Sequence, residues 1–295
     1  MVNWTSIQII KSKYILMLLI ILIILIYKYF KRIENFTSYI QPKNNIEISF
    51  CITCLNRFDQ LKNTLQINLE KNIKYNKEIE FILVNFIMND EGRRIDRWVR
   101  TNMVKYIKNG YLKYYISNNL KEWNACIAKN TSHRYGTGRI LYNLDCDNFV
   151  TPKEIEFIKT IDFDKSIYYG WSGTWKDGTG GRVCLTQKQF RQIGGYDQGL
   201  LPTSYQDIDL LKRTKIYFKL KLIIAYKNSI HNKAIENDKE LNTKYVNTND
   251  KWSNMLVKNK RRSFKRIRNK DFINHHELGV TAHKIYLRNI DTFFL

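Results

Sequence analysis

Strand-like and helix-like segments alternate along the chain from residue 46 onward. Short apolar runs typical of buried strands are followed by longer segments whose apolar residues recur at helical spacing. The predicted strands occupy 46–55, 79–87, 111–116 and 139–144, and the predicted helices occupy 58–72, 93–107 and about 122–132. Because strands and helices in alternation form βαβ units, the sequence predicts an α/β fold with a mostly parallel sheet flanked by helices.

The composition is that of a folded protein with one large core or two modest ones. Of 295 residues 44% are hydrophobic, and three prolines and thirteen glycines exclude a collagen-like or long flexible design. The five cysteines are an odd and sparse set, which argues against a disulfide framework. We expect Cys51 and Cys54, in the first predicted strand, to be small core residues rather than a metal or redox pair.

Basic residues outnumber acidic ones by 22, with 49 Lys and Arg against 27 Asp and Glu. This balance suits a phosphate-bearing ligand, nucleic acid or an anionic membrane face. The abundance of Asn, Ile, Lys and Tyr together is also typical of A/T-rich coding sequence, which would account for part of the excess. The densest run is 258–270, with eight basic residues and no acid, and we expect 236–295 to be a basic C-terminal extension.

An unbroken apolar run over 14–27 predicts a membrane anchor. Lysines flank the run on both sides and no small-residue cleavage site follows it, which favours an uncleaved anchor over a signal peptide. Counted over 14–30, a helix would reach roughly 25 Å, enough for a thin bilayer. We therefore expect a short tail and transmembrane helix over 1–32, a stem over 33–45, and a single-pass type II protein facing an ER- or Golgi-like lumen.

Two aspartates separated by one residue, Asp145 and Asp147, follow the predicted strand 139–144. Side chains at i and i+2 of an extended segment point to the same side, and ligands of open α/β sheets bind at the carboxyl ends of strands. Like charges this close repel unless a cation lies near them, and a hard divalent ion such as Mg2+ or Mn2+ would serve. Judged from these two residues alone, a solvated turn is the more frequent case.

Further motifs occur in a fixed order over residues 47–232: CITCLNR with LKNTL, EFILVNF with NDEG, AKN, NLDCDN, GGR, FRQIGGYD and QDIDL. With these motifs the chain resembles inverting glycosyltransferases of the GT-A fold, in the family 2-like and beta-1,4-galactosyltransferase-like groups. The resemblance implies a GT-A, Rossmann-like domain over 46–235. It also implies a hexosyltransferase-like enzyme that moves a sugar from a nucleotide-sugar, expected to be a UDP-sugar, to a glycan or glycoprotein hydroxyl with inversion.

The resemblance further implies which residues form the site. The expected donor-binding residues are Thr53, Asn56, Arg57, Asp90, Asp145, Gly181, Arg182, Gly195, Tyr196 and Asp197. The expected ligands of Mn2+ or Mg2+ are Asp145, Asp147 and His231. Asp207 is the expected catalytic base, whereas Asp209 is expected to be structural because it lies in the first turn of a predicted helix.

The chemistry of sugar transfer agrees with these roles. A carboxylate within hydrogen-bond reach of the acceptor hydroxyl can accept its proton as the oxygen attacks the anomeric carbon. The departing nucleoside diphosphate develops negative charge, which a metal ion can stabilise in place of a general acid.

Two other functions stay open. Asn85, Gln198 and Gln206 stand where relatives commonly carry acids, so the fold could serve as a catalytically impaired, sugar- or partner-binding pseudoenzyme. The run 258–270 could instead bind an anionic membrane or nucleic acid, of which nucleic acid is the less expected partner. Two tryptophans at 171 and 175 could stack on a sugar ring or fill the core.

Overall fold

The computed structural model describes residues 46–236 and 250–285, together with residues 22, 24 and 246. The described residues from 46 onward belong to one compact unit, which contains all the strands and helices named below. This unit begins with the first predicted strand, and its last described residue is 285.

The predicted anchor over 14–30 and the predicted stem over 33–45 lie outside the described residues, apart from residues 22 and 24. Within the part of the chain that the structure describes, no helix combines the length and the apolar character needed to cross a membrane. The anchor and the stem stay predictions.

A mixed sheet of eight strands forms the centre of the described chain. The strands are β1 (Ile48–Cys54), β2 (Ile79–Phe86), β3 (Leu112–Ser117), β4 (Ile140–Asn143), β5 (Ser166–Tyr169), β6 (Val183–Thr186), β7 (Lys221–Ile224) and β8 (His283–Lys284). Their order across the sheet is β7-β5-β6-β4-β1-β2-β3-β8. The four strands β1 to β4 run parallel, whereas β6 and β8 pair antiparallel with their neighbours. The carboxyl ends of β1 to β4 therefore meet at one edge.

Helices connect most of these strands. The helices are α1 (Phe58–Lys71), α2 (Asp90–Asn102), α3 (Val104–Lys108), α4 (Ala125–Arg134), α5 (Pro152–Lys159), α6 (Gln187–Gln192), α7 (Gln206–Tyr217) and α8 (Trp252–Arg268). The helices predicted over 58–72 and 122–132 are confirmed as α1 and α4. The single helix predicted over 93–107 is wrong in detail, because the chain breaks at the buried Met103 into α2 and α3. α2 begins early because the Asn89 side chain accepts hydrogen bonds from two of its first amides.

The central strands β1 and β2 are buried along their whole length. A strand of a parallel sheet that is covered on both faces reads as a continuous apolar run, which is why both strands were visible in the sequence. Cys51 and Cys54 are 0% and 1% exposed, and all five cysteines are free and buried. Their predicted role as small core residues is confirmed.

The segment after residue 250 packs on the rest of the unit. Asn259 of α8 is buried, and its side chain bonds to backbone groups of the loop 201–204. At the far edge of the sheet, β8 pairs with β3. The basic run 258–270 thus lies on an integral helix, and the predicted extension over 236–295 contains elements of the fold itself.

A buried ion pair fixes α7. Arg213 Nε donates to Asp209 Oδ2 at 2.7 Å, and both side chains are 0% exposed. The guanidinium also donates to the carbonyls of Gly195 at 2.8 Å and Phe272 at 2.9 Å. Asp209 is therefore structural, as expected, and the pair ties α7 to two other segments.

Replacing Arg213 by Met should lower the free energy of unfolding by about 3–5 kcal/mol, because Asp209 would be left buried without its partner. Denaturant unfolding followed by circular dichroism measures this change. The matched control is Lys165→Met, which removes the exposed pair with Asp162 and should leave the unfolding free energy nearly unchanged. Similar losses in both variants would contradict the role given to the buried pair.

Candidate active site

Polar side chains collect where β1 and β4 end. The register that pairs Cys51 with Asn143 sets the two following loops side by side. Five of the predicted residues lie on these two segments: Thr53, Asn56 and Arg57 at and after the end of β1, and Asp145 and Asp147 after β4. A direct contact joins the loops, since Arg57 Nη1 lies 3.5 Å from Asp147 Oδ2.

A buried lysine from α4 lies between two of the aspartates. Lys129 Nζ is 2.7 Å from Asp207 Oδ1 and 3.1 Å from Asp145 Oδ1. Burial by itself would lower the pKa of this ammonium, but the two carboxylates outweigh it and hold the pKa above its usual value. A charged lysine thus joins the end of β4 to the first turn of α7.

Asp207 occupies the first turn of α7 and is 9% exposed. Burial raises the pKa of its carboxyl to about 6, although Lys129 and the nearby Tyr196 hydroxyl favour the ionised form. A carboxyl group that titrates this close to neutrality suits a general base, because it is ionised at neutral pH yet basic enough to accept a proton.

Asp145 is held in place from two further sides. The Asn143 side chain donates to Asp145 Oδ1 at 3.0 Å and to the carbonyl of Gly181 at 2.8 Å. Burial would raise the pKa of Asp145, but Lys129 and Asn143 keep it below its ordinary value. A Cβ at Gly181 would fall 2.1 Å from Asp145 Oδ2, so only glycine permits this close approach. The predicted Gly181 therefore lies at the site.

Asp147 is the more buried of the two strand-end aspartates, with 4% exposure. Its Oδ1 accepts a hydrogen bond from Asn148 Nδ2 at 2.6 Å, and its Oδ2 faces Arg57. Carboxylate oxygens of this kind fit a hard divalent ion, which completes its coordination from water and phosphate oxygens. No three His, Cys, Asp or Glu side chains of the described residues cluster closely enough to hold an ion. His231 is exposed, and its role as a third ligand stays a prediction.

Asn56 carries an unsatisfied amide beside the aspartates. Its backbone is left-handed, with φ +50°, and both side-chain amide atoms are buried with no hydrogen-bond partner among the described residues. Leaving a buried amide unpaired is costly, and a ligand with donors and acceptors would satisfy it. The donor contact expected for Asn56 stays a prediction.

Arg182 lies inside the core instead of the cleft. It is 0% exposed, forms an ion pair with Glu154, and donates to Tyr142 Oη at 2.8 Å and to the carbonyl of Phe149 at 2.6 Å. These partners enclose the guanidinium completely. The structure gives Arg182 a structural role in place of the predicted donor contact.

Asp197 is also held by buried contacts within the protein. It is 1% exposed and pairs with Arg262 Nε at 3.0 Å and Arg266 Nη1 at 2.8 Å, both on α8. Against the effect of burial, these arginines and a backbone amide hold the pKa of Asp197 at about 2. Its carboxylate anchors α8 and does not face the cleft, contrary to the donor contact expected from the sequence.

Tyr196 and Gly195 pack against α4, the helix that carries Lys129. Tyr196 is 0% exposed, and Lys129 Nζ lies 5.7 Å from the centre of its ring. Gly195 is left-handed, with φ +62°, and a Cβ there would fall 2.4 Å from Asn130 Oδ1. Both residues position α4 and its lysine, whereas the predicted donor contact would require exposure that Tyr196 lacks.

Asp90 is exposed to solvent at the start of α2. Its side chain is 96% exposed and pairs with Arg93. No contact of this structure brings Asp90 to the carboxylates at the end of β4, so a ribose or base contact for it stays a prediction.

The three positions that lack an expected acid have different tasks. Asn85 is buried and donates to the carbonyl of Gly92 at 2.9 Å, which fixes the turn into α2. Gln198 bonds to backbone groups of the segment 277–279. Gln206 begins α7, and its Oε1 has no hydrogen-bond partner among the described residues. Asn85 Oδ1 also lacks one, but Asn85 is 0% exposed, whereas Gln206 is partly exposed and can contact a ligand.

Lys129 was not among the predicted site residues, although it is the lysine of the AKN motif. In the structure α4 is buried from Ala125 to Ser132 with one intermediate position, so a lysine there needs anionic partners. An unpaired buried ammonium would be prohibitively costly. The helix sequence ACIAKNTSHR is largely polar and carries no signal of this burial.

Comparison with solved structures identifies the fold. The S. aureus TarS fragment 1–349 in complex with UDP-GlcNAc superposes with a TM-score of 0.50 at 10% identity, covering 76% of this chain and 75% of that one. The fold is of the GT-A type. The fold expected from the sequence is thereby confirmed.

Two other solved structures are similar at lower scores. The Drosophila beta-1,4-galactosyltransferase 7 with manganese, UDP-Gal and xylobiose has a TM-score of 0.47 and 8% identity, covering 79% of this chain and 82% of that one. The Pyrobaculum calidifontis mannosyltransferase PcManGT with GDP-Man and Mn2+ has a TM-score of 0.47 and 13% identity, covering 62% of this chain. The chain spans 56% of that mannosyltransferase. No family model and no curated protein matches the sequence.

Replacing Lys129 by Met should raise the pKa of Asp207 above its value of about 6, because the cation that favours the ionised carboxylate is lost. A pH titration of the aspartate carboxyl signals by 13C NMR, with Asp207→Asn to assign the resonance, measures the shift. Lys165→Met, which changes an exposed lysine, is the control and should leave the titration unchanged. An unaltered Asp207 titration in a folded Lys129→Met variant would contradict the coupling.

Proposed function

We propose that this protein is a metal-dependent glycosyltransferase that moves a sugar from a nucleotide-sugar to a hydroxyl group of a glycan or glycoprotein. The observation that carries the proposal is the Asp145–Lys129–Asp207 network at the carboxyl edge of a GT-A sheet. The UDP-GlcNAc held by the TarS fragment supports a UDP-sugar as the donor. The segment 14–30 would anchor the enzyme as a single-pass type II protein with its domain in a lumen.

Asp207 would act as the base. The acceptor hydroxyl would donate its hydrogen bond to the Asp207 carboxylate, and the proton would pass to that carboxylate as the oxygen attacks the anomeric carbon. Attack from the side opposite the leaving diphosphate inverts the configuration at that carbon. Lys129 keeps the carboxylate in its ionised form and in one orientation, through the 2.7 Å contact with Oδ1.

The leaving-group side is formed by the two loops after β1 and β4. Asp145 and Asp147 would hold Mn2+ or Mg2+, which when bound neutralises charge that develops on the nucleoside diphosphate. Arg57 lies beside Asp147 and adds a fixed positive charge to the same place. Asn56, whose side-chain amide is unsatisfied among the described residues, and Thr53, near the end of β1, would bind the nucleoside.

A binding protein without turnover is the competing function, and Gln206 is the observation that favours it. An amide accepts hydrogen bonds from sugar hydroxyls but carries no charge to share with Asp207. Asn85 and Gln198 no longer add to this alternative, because both are engaged in packing the fold.

A screen of sugar nucleotides with Mn2+ tests the proposal. We expect turnover of at least one UDP-sugar by the full chain, and a loss of about 10²–10⁴-fold in kcat for Asp207→Asn because the base is removed. Asp147→Ala should lower activity and weaken the dependence on Mn2+, whereas the exposed control Asp162→Asn should retain both. UDP binding without turnover of any donor would favour the pseudoenzyme, and full activity of Asp207→Asn would refute the assigned base.

The pH dependence of kcat/KM should follow Asp207. Because its pKa is about 6, the carboxyl is protonated below that pH and cannot accept the acceptor's proton. Activity should therefore rise with pH through about 6 and then level off, as a single ionisation. Initial rates at subsaturating substrate over a pH series measure this, and a profile without an inflection near 6 would contradict the assignment.

A further inference from the structure

The loop between β5 and β6 presents aromatic side chains to solvent. Trp175 is 76% exposed and Tyr226, just after β7, is 40% exposed. The Trp171 ring lies between them, with centroid distances of 4.9 Å to Trp175 and 5.6 Å to Tyr226. The high exposure of Trp175 excludes the core role that the sequence left open for it. Exposed aromatic clusters of this kind mark binding surfaces.

The loop is held in one shape by its own polar groups. Asp177 accepts hydrogen bonds from the amide of Thr179 at 2.9 Å and from its hydroxyl at 2.8 Å, and it also bonds the Ser172 hydroxyl. Gly173 is left-handed, with φ +96°, and packs so closely on Tyr226 that a Cβ would fall 2.9 Å from the ring. The aromatic faces are thus presented by a fixed loop, which reduces the entropy lost on binding.

The aromatic cluster is continuous with the site. Trp171 stacks on Tyr169 at 6.0 Å, and the Tyr169 hydroxyl donates to the carbonyl of Gly180 at 3.1 Å. The next residue, Gly181, lies directly against Asp145 and Lys129. Asp207 contributes to the raised pKa of Tyr169, after burial, which agrees with their proximity. A molecule resting on the cluster would therefore extend toward the proposed base.

We propose that Trp171, Trp175 and Tyr226 form an aromatic platform, in which a pyranose ring of the acceptor stacks on the exposed face of Trp175 and contacts Trp171 and Tyr226, whose rings are inclined to one another. The inference rests on the proposed function and names the substrate class of that site: an acceptor that presents a sugar ring. A pyranose has one apolar C–H face, which matches an aromatic face, and a rim of hydroxyl groups. The exposed Thr174 and Lys176, on either side of Trp175, can bond such hydroxyls.

The same surroundings argue against an apolar peptide or lipid as the occupant. Polar residues Ser172, Thr174, Lys176 and Asp177 interrupt the aromatic residues within the loop. An apolar partner would leave these groups without hydrogen bonds or water, at a cost. Aromatic rings separated by polar side chains suit a saccharide, because its apolar C–H faces alternate with hydroxyl groups.

Binding of the full chain to a glycan array displaying terminal Gal, Glc, GlcNAc, GalNAc, Xyl and Man, with UDP and Mn2+ present, tests the platform. The strongest binder is then titrated as the free saccharide by saturation-transfer NMR, against wild type, Trp175→Ala and Trp171→Ala. We expect affinity to fall at least about tenfold in each variant, as for a ring that loses its aromatic stacking partner. Phe264→Ala, which removes an aromatic ring that is 47% exposed on α8, should bind like wild type.

The outcomes separate this inference from the proposed function. A chain that binds UDP but no displayed glycan, or that binds the saccharide equally well without Trp175 and Trp171, overturns the platform and leaves the transferase proposal intact. Saccharide binding that depends on both tryptophans in a chain that fails to bind UDP supports the platform and refutes the transferase. Circular dichroism of each variant confirms that a loss reflects the missing ring and not unfolding.

Discussion

The contacts of Lys129 with Asp145 and Asp207 are the interaction on which the site depends. Asp145 belongs to the end of β4 and Asp207 to the start of α7, so one buried ammonium joins the two halves of the sheet domain. The ammonium favours the ionised form of both carboxylates, and the buried lysine could not stay charged without them. The site therefore forms only when the sheet, α4 and α7 bring Asp145, Lys129 and Asp207 into contact.

Much of the fold could be predicted from the sequence because the information is local. β1 to β4 and the helices between them show their burial in the spacing of apolar residues. The strands β5 to β7 were not predicted, because four residues are too few to establish a period. β4 is equally short, and it was predicted from the apolar run 139–144 that contains it. The placement of Asp145 and Asp147 at a strand end was also predictable, because it needs only the end of an apolar run.

The actual tasks of Arg182 and Asp197 could not be predicted, because their partners are remote in sequence. Arg182 pairs with Glu154, and Asp197 pairs with Arg262 and Arg266 of α8. A motif that resembles a donor site fixes the position of a residue along the chain but not the direction of its side chain. The same pairs explain part of the basic run 258–270, two of whose arginines neutralise a buried acid of the domain instead of awaiting an external partner.

The most direct test of this account is where a nucleotide-bound metal ion lies. Adding Mn2+ with UDP to the full chain, with threonine and valine methyl groups labelled, should broaden the NMR signals of Thr53, near the end of β1, and Val150, three residues after Asp147, through the paramagnetism of the ion. The broadening should require UDP, should disappear in Asp147→Ala, and should be stronger at these two residues than at Val257 on α8. Broadening centred away from Thr53 and Val150, or present to the same extent in Asp147→Ala, would contradict the placement of the donor diphosphate at the carboxyl edge of the sheet.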